Sequence, residues 1–137
     1  MQAKIAAIAY ALPSESLSNE QLAAEFTDWT VDKIAAKTGI DQRWIAAPDE
    51  CASDLGVRAA DKLLAESGVE ATNLDFVLFC TQSPDYFLPT TACLIQHRLG
   101  MATSAGALDF NLGCSGFIYG LGLAKKLFGN CRLKPSG

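Results

Sequence analysis

Two short apolar runs with a helical pattern between them constrain the fold of this chain more than any other feature. Residues 75–80 (DFVLFC) follow turn-forming residues and are too short for a helix, so they predict a buried strand. Gly106 to Phe110 (GALDF) is a second candidate strand, and Thr90 to Leu99, closed by Gly100, has a helical pattern. Strand, helix and strand in this order predict a parallel sheet with right-handed crossovers, as in an α/β sandwich.

The N-terminal residues contain one further strand pattern. Lys4 to Tyr10 is a run of Ile and Ala that ends at the turn signal Leu12-Pro13-Ser14. Such a run predicts a first strand buried on both faces, rather than a signal peptide, because Pro13 comes before any small-residue cleavage site.

Capping residues predict three more helices before the strand at residues 75–80. Ser18 and Gln21 have capping-box spacing and open a short helix. Thr30 opens another helix, which stops at Gly39. Ser53 is the expected cap of a longer helix with apolar residues on one face and its end at Gly68.

The segment from Ser115 to Phe128 predicts a buried helix with one smooth face, that is, a face made only of Gly and Ala. Gly116, Gly120 and Ala124 recur every four residues, so another backbone can approach that face closely. The segment carries little polar surface before Lys125, which is typical of a buried helix. The tail at residues 129–137 (GNCRLKPSG) is basic, has no strand signal and differs from what precedes it.

Composition excludes several classes of function. The 137 residues suit one domain, and half of them are apolar, enough for a globular core. The net charge of −4 and the scattered basic residues argue against a nucleic-acid partner, and no apolar stretch is long enough to cross a membrane. Five cysteines without a CxxC pair, together with the single His97, predict free thiols, a reducing cytoplasm and no metal site.

Cys114 is the strongest candidate for chemistry. It lies in NLGCSGF, directly after a predicted strand and before the glycine-rich helix. A helix N-terminus stabilises a thiolate over a thiol, and flanking Gly113 and Gly116 permit a sharp turn that exposes the sulfur. The alternative is a small buried side chain, since free Cys is among the most buried residue types.

Several separated motifs in order resemble the β-ketoacyl-[acyl carrier protein] synthase III family of condensing enzymes. The resemblance runs from Lys4 to about Leu127 and is carried by KTGIDQRWIAAPDE, SDLGVRAADKLL, DFVLFCTQSPDYFLPTTACLIQHRLG and GALDFNLGCSGFIYGL. It implies the N-terminal half of a thiolase-like αβαβα sandwich, with a mixed, mostly parallel sheet and a buried central helix, over residues 1–128. The C-terminal half of the family fold has no counterpart in this chain.

The resemblance implies a two-step acyl transfer. An acyl thioester acylates Cys114, and malonyl-[acyl carrier protein] is then decarboxylated and condensed with the acyl group. Acyl-coenzyme A or acyl-[acyl carrier protein] is the substrate, and no metal or redox cofactor is implied. The family's His and Asn for the second step belong to the missing half, so condensation by this chain alone should fail or be very slow.

Two positions depart from the family pattern. Lys33 occupies the position of a Trp that stacks on the adenine of coenzyme A, while the basic position beside it is kept as Lys37. Trp29 lies one helical turn before Lys33. Because Lys33 cannot stack on adenine, this departure favours delivery of the acyl group on a carrier protein over delivery on coenzyme A. In the acyl-pocket loop, Leu88 precedes Pro89. Leu88 and Phe87 are expected to line the acyl pocket of this chain or of a neighbouring subunit, and the alternative is an ordinary ordered loop.

Two other functions compete with the acyltransferase. One is a non-catalytic half-fold that binds a carrier protein, an acyl chain or a partner chain. The other is a cysteine hydrolase that uses Cys114 and His97, for which no pattern brings the two residues together. Half of a two-part fold leaves apolar faces and a sheet edge open, so a homodimer or larger assembly is expected.

Overall fold

The computed structural model describes the backbone of residues 3–130 and the side chains of residues 3–127. The chain divides into two compact units: a smaller one of residues 11–51 and a larger one made of the remaining residues. Most of the predicted tail, residues 131–137, lies outside the described residues. In chain order the elements are β1 (Glu15–Ser18), α1 (Asn19–Glu25), α2 (Val31–Thr38), β2 (Gln42–Ile45), α3 (Ala52–Ser67), a 3-10 turn (Ala71–Asn73), β3 (Phe76–Cys80), α4 (Thr91–Arg98), β4 (Gly106–Phe110) and α5 (Gly116–Asn130).

The larger unit is built on the predicted parallel pair. β3 and β4 pair in parallel, with Phe76 opposite Gly106 and Cys80 opposite Phe110. The connection between them contains α4, which packs on both strands. The strand, helix and strand inferred from the two apolar runs are therefore confirmed.

Alternation along the strands divides the helices between the two faces of this sheet. Phe79 faces α3 and α4: a Cβ added to Gly56 of α3 would lie 3.1 Å from the Phe79 ring. Its neighbour Cys80 faces the other way, with its sulfur against Gly116 of α5. Because successive side chains point to opposite faces of a strand, α3 and α4 form one layer and α5 forms another. The core of the first layer contains the buried Val57, Ala92, Ile95 and Met101.

The smaller unit contains an antiparallel pair of strands, separated in sequence by α1 and α2, that the sequence does not predict. β1 and β2 pair antiparallel, with Glu15 opposite Ile45. Neither strand has a marked apolar run, so periodicity gives little sign of them. The side chain of Asn19, only 3% exposed, links the pair to the α2 end, since its Nδ2 donates to the Ile40 carbonyl and its Oδ1 accepts from Arg43, both at 2.8 Å.

The helices of this unit begin and end where their capping residues predict. Ser18 and Gln21 form the full capping box of α1. The Thr30 side chain accepts from the Lys33 N–H at the start of α2, and Gly39 ends that helix with a left-handed φ of 64°.

Three expectations about the larger unit are wrong. Lys4 to Tyr10 forms no strand, and Ile5 and Ile8 are 57% and 76% exposed. A strand needs a neighbour for its backbone N–H and C=O groups, and in the described residues β3 and β4 pair only with each other. Ser53 lies inside α3 rather than capping it.

The third correction concerns α5, which is covered along one face only. Gly116 is buried and Gly120 lies near the Phe110 ring, as the smooth face predicts. Phe117, Ile118 and Tyr119 are more than 60% exposed. The described chain provides no second layer over this helix, so the predicted full burial is not met.

None of the helices within the described residues has the length and apolar character that a bilayer crossing requires.

Candidate functional site

Cys114 lies on a tight turn that joins β4 to α5. The Gly116 N–H donates to the Gly113 carbonyl at 2.8 Å, which closes the turn around Cys114. The Ser115 carbonyl accepts from the Tyr119 N–H at 3.1 Å, so α5 begins directly after the cysteine. The Cys114 side chain is exposed. The geometry is therefore that of an accessible thiol at a helix N-terminus, and the buried alternative does not describe this chain.

Residues at the end of β3 pack against this turn. The Cys80 thiol donates to the Leu112 carbonyl at 3.4 Å and contacts Gly116 on the other side of the turn. The Gln82 side chain packs against Gly113, where an added Cβ would lie 3.2 Å from its Oε1. Neither Cys80 nor Gln82 was identified from the sequence, because each acts through a contact made by chain folding alone.

A cavity of about 210 Å³ lies at the C-terminal ends of β3 and β4, three residues along the chain from Cys114. Ligands of α/β sheets bind at this edge because the loops that follow the strands meet there. Phe87 lines the cavity, yet its side chain is 99% exposed, and Leu88 is 82% exposed. The full lining is Thr81, Pro84, Tyr86, Phe87, Thr90, Asp109, Phe110 and Asn111.

Asp109, the one charged residue of β4, lines this cavity and caps α4. Its carboxylate accepts from the Thr91 N–H at 2.7 Å and from the Ala92 N–H at 2.5 Å. Thr90, the residue at the start of the helix, makes no side-chain capping bond. A charge inside an otherwise apolar strand is the signal by which a sequence reader could have singled out Asp109.

The predicted substrate-binding lysines share a second cavity in the smaller unit. Lys33 and Lys37, one turn apart on α2, line about 390 Å³ together with Asp28 and Trp29. Both lysines and the Trp29 ring are exposed. Two cations beside an aromatic face suit a ligand that carries phosphate and a flat ring. Lys33 and Lys37 belong to the smaller unit, and Cys114, Phe87 and Leu88 belong to the larger unit.

His97 is placed away from Cys114 within the larger unit. It lies at the end of α4, and its neighbour Gln96 donates to the carbonyls of Ala102 and Ala105, just before β4 begins. Cys114 follows the other end of β4, and a five-residue strand is roughly 16 Å long. The arrangement disfavours a Cys114–His97 pair, and the cysteine hydrolase loses its support.

Cys80, Cys93 and Cys114 form no disulfide bond. Across the described part of the chain, no three His, Cys, Asp or Glu side chains are grouped to bind a metal ion.

Comparison with known proteins finds several β-ketoacyl-[acyl-carrier-protein] synthases III. No protein-family model matches the chain. It is 42% identical over 124 residues to a β-ketoacyl-[acyl-carrier-protein] synthase III of Streptococcus equi subsp. zooepidemicus, and 46% identical over 113 residues to that of Oleidesulfovibrio alaskensis. These matches cover 90% and 82% of the chain but 37% and 34% of the relatives, so the chain spans little more than a third of their length.

Solved structures agree with the sequence matches. The crystal structure of a 3-oxoacyl-(acyl-carrier-protein) synthase III, 59% identical, superposes with a TM-score of 0.85 over 90% of this chain and 36% of its own. The corresponding enzyme of Thermus thermophilus, 35% identical, gives a TM-score of 0.83 over 91% of this chain and 38% of its own. The α/β fold of the chain is that of these thiolase-like structures.

Proposed function

Because this chain is homologous over nine-tenths of its length to β-ketoacyl-[acyl-carrier-protein] synthase III, a thiolase-fold condensing enzyme, we propose that it carries the acyl-accepting cysteine of such an acyltransferase. The observation that carries the proposal is the exposed Cys114 on the closed turn before α5. The reaction belongs to fatty acid or related biosynthesis. Its compartment is the cytoplasm, consistent with the free thiols.

The acyl transfer step requires only a nucleophile and aimed donors. The Cys114 thiolate attacks the carbonyl carbon of an acyl thioester, a new carbon–sulfur bond forms, and the bond to the carrier sulfur breaks. The carrier leaves as a thiol after taking a proton. Backbone N–H groups stabilise the negative oxygen of the intermediate, and one of them is the N–H of Cys114 itself. No cofactor enters this step.

The condensation step needs groups from the part of the relatives that this chain does not span. Decarboxylation of malonyl-[acyl carrier protein] produces an enolate, which His and Asn side chains stabilise in the family. General-acid and electrostatic stabilisation each contribute orders of magnitude to such a rate. We therefore propose acylation of Cys114 as the step that the residues of this chain carry out.

The two lysines of α2 are proposed to bind the carrier. Lys33 and Lys37 place two exposed positive charges next to the Trp29 ring. Acyl-coenzyme A and acyl-[acyl carrier protein] both bring phosphate to such a site, and the carrier protein adds acidic side chains. The positive charges of Lys33 and Lys37 can bind either carrier. The Trp29 ring can stack on the adenine of coenzyme A, which the Lys33 side chain cannot do.

The acyl chain is proposed to contact the loop between β3 and α4. Phe87 and Leu88 present apolar side chains that nothing in the described chain covers. A homodimer would bury them and complete the acyl pocket. The alternative, a non-catalytic half-fold that binds an acyl chain or a partner, is favoured by the exposed face of α5 and is separated from the enzyme by the following experiment.

The test is the intact mass of the chain after incubation with short acyl thioesters on coenzyme A and on acyl carrier protein, followed by peptide mapping. We expect one adduct on Cys114, which Cys114→Ser abolishes. Cys93→Ser is the matched control, because Cys93 is also exposed and its replacement should leave the adduct intact. A binding module would form no adduct, and an adduct spread equally over Cys51, Cys93 and Cys114 would refute a specific nucleophile.

A further inference from the structure

Asp85 joins the loop between β3 and α4 to both neighbouring helices through hydrogen bonds. The Asp85 N–H donates to the Thr91 hydroxyl at 3.1 Å, and its Oδ1 accepts from the Ser53 N–H at 3.1 Å. Thr91 is fully buried and Ser53 is 3% exposed. We call this set of three residues the Asp85 clamp. It attaches the loop to the first turn of α3 and to the first turn of α4 at once.

Both anchors of the clamp are themselves held in place. The Thr91 N–H donates to Asp109 of β4, and the Ser53 hydroxyl accepts from Arg98 at 2.7 Å. Arg98 also forms an ion pair with Asp54 at 2.8 Å. The clamp is thus part of a hydrogen-bonded network joining α3, α4 and β4, and buried networks of satisfied polar groups are rigid.

Directly after the clamp, the loop presents three large apolar side chains to solvent. Tyr86, Phe87 and Leu88 are 62%, 99% and 82% exposed. These side chains have little burial within the described chain, so the nearest contacts that hold the segment are the hydrogen bonds at Asp85 before it and at Thr91 after it. A loop ordered in advance loses little conformational entropy when its apolar tip contacts an acyl chain or a partner.

We propose that Asp85 is a positioning residue for acyl selectivity: through its hydrogen bonds to Ser53 and Thr91 it fixes Phe87 and Leu88 where they limit the acyl group transferred to Cys114. This inference rests on the proposed acyl transfer. It adds the residue that sets the geometry of the loop, which touches no substrate itself.

Two measurements on the full chain test the role of Asp85. Hydrogen exchange of residues 81–90 reports loop order, and acylation rates of Cys114 with a series from acetyl to octanoyl thioesters report selectivity. In Asp85→Ala we expect exchange at least about tenfold faster in that loop alone. We also expect at least about a tenfold change in the ratio of octanoyl to acetyl rates.

Conservative and distant variants separate positioning from general damage. Asp85→Asn keeps the Oδ1 acceptor and should stay within about threefold of wild type in both measurements. Asp61→Ala, at an exposed site on α3, is the matched control and should change neither. If Asp85→Ala does not fold, Thr91→Val, which removes the hydroxyl acceptor, takes its place with the same expected result.

The contrary outcomes are distinct from one another. The positioning role would be overturned if Asp85→Ala kept wild-type selectivity although its loop exchanged faster. It would also be overturned if hydrogen exchange of the loop were unchanged in that variant, and neither result would contradict acyl transfer. A wild-type chain that no thioester acylates would overturn the proposed function, and the selectivity role with it. The exchange data would still show in that case whether Asp85 orders the loop.

Discussion

Two aspartates satisfy the N-termini of helices to which they do not belong. Asp85 accepts from the first turn of α3, and Asp109 accepts from two N–H groups of α4. The nearby hydroxyl residues Ser53 and Thr90, which look like local caps, do not take that role. A carboxylate also interacts favourably with the positive end of the helix dipole, so it is a stronger partner than a hydroxyl.

The first prediction follows from the Asp109 cap. Asp109→Ala leaves the buried N–H groups of Thr91 and Ala92 without an acceptor, which should lower the free energy of unfolding by about 1–3 kcal/mol. Thr90→Ala removes a side chain that makes no capping bond and should change it by less than about 0.5 kcal/mol. Urea denaturation of both variants measures the difference; equal losses would contradict the assignment of the cap.

The second prediction concerns Glu20, in the first turn of α1. A hydrogen bond from Ser18, together with the backbone of Glu20, lowers the pKa of this carboxyl below its ordinary value. A carboxyl with a lowered pKa in the folded state stabilises the fold above its unfolded pKa, and this contribution is lost as pH falls through the folded pKa. In Ser18→Ala the pKa should return upward.

An NMR titration of the Glu20 side chain measures this shift. The same Ser18→Ala change also removes the acceptor of the Gln21 N–H, which should lower stability by about 1 kcal/mol. Thr27→Ala, at an exposed residue between α1 and α2, is a control that should leave the Glu20 titration where it is. An unchanged titration in Ser18→Ala would show that Ser18 is not the cause.

At the scale of elements, α5 is defined by how closely it lies on β3 and β4. Glycine in a helix interior is about 1 kcal/mol less favourable than alanine, so the glycines of α5 need an offsetting gain. Gly116 supplies it, because its backbone rests on the Cys80 sulfur where no Cβ could fit. The same contact supports the turn that carries Cys114, so the packing of α5 on Cys80 also sets the position of Cys114.

A matched pair of glycine variants tests this contact. Gly116→Ala forces a methyl group against Cys80 and should destabilise the chain by about 1–3 kcal/mol. Gly122→Ala, where an added Cβ meets nothing within 4 Å, should stabilise it by about 0.5–1 kcal/mol. Thermal unfolding distinguishes the two signs, and Cys80→Ala should recover part of the Gly116→Ala loss. Equal effects of both substitutions would rule out the close contact.

At the scale of the whole chain, much apolar surface remains uncovered. α5 exposes Phe117, Ile118 and Tyr119, and β3 and β4 form a sheet of only two strands within the described residues. Contiguous apolar patches and free strand edges are the surfaces through which chains associate. Relatives that are about two and a half times as long have further residues to place over such surfaces.

We therefore predict that the chain associates in solution. Sedimentation velocity at micromolar concentration should show a dimer or a larger species, and Ile118→Glu should shift the population toward monomer by placing a charge on the exposed face of α5. Lys125→Glu, a charge reversal at an already charged position of the same helix, is the control and should have a smaller effect. A clean monomer of the wild-type chain would contradict the prediction.

The sequence by itself determined the elements whose stabilising contacts are local or repeat along the chain. The apolar runs predicted β3 and β4, the Ser18–Gln21 box and the Thr30 and Gly39 signals predicted α1 and α2, and the strand–glycine–cysteine pattern placed Cys114 before a helix. Motifs in order also predicted the similarity to β-ketoacyl-[acyl-carrier-protein] synthase III that the comparison finds, since many separated matches are specific even where each one is short.

Only the tertiary structure decided the features that depend on a distant partner. Asp85 and Asp109 replace the local caps because their carboxylates come from other elements, and Cys80 supports the nucleophile turn from a neighbouring strand. Lys4 to Tyr10 has the composition of a strand but forms none, since a strand exists only when another strand satisfies its backbone groups. Composition gives the secondary structure that a segment prefers, and the tertiary contacts of the segment decide whether that structure forms.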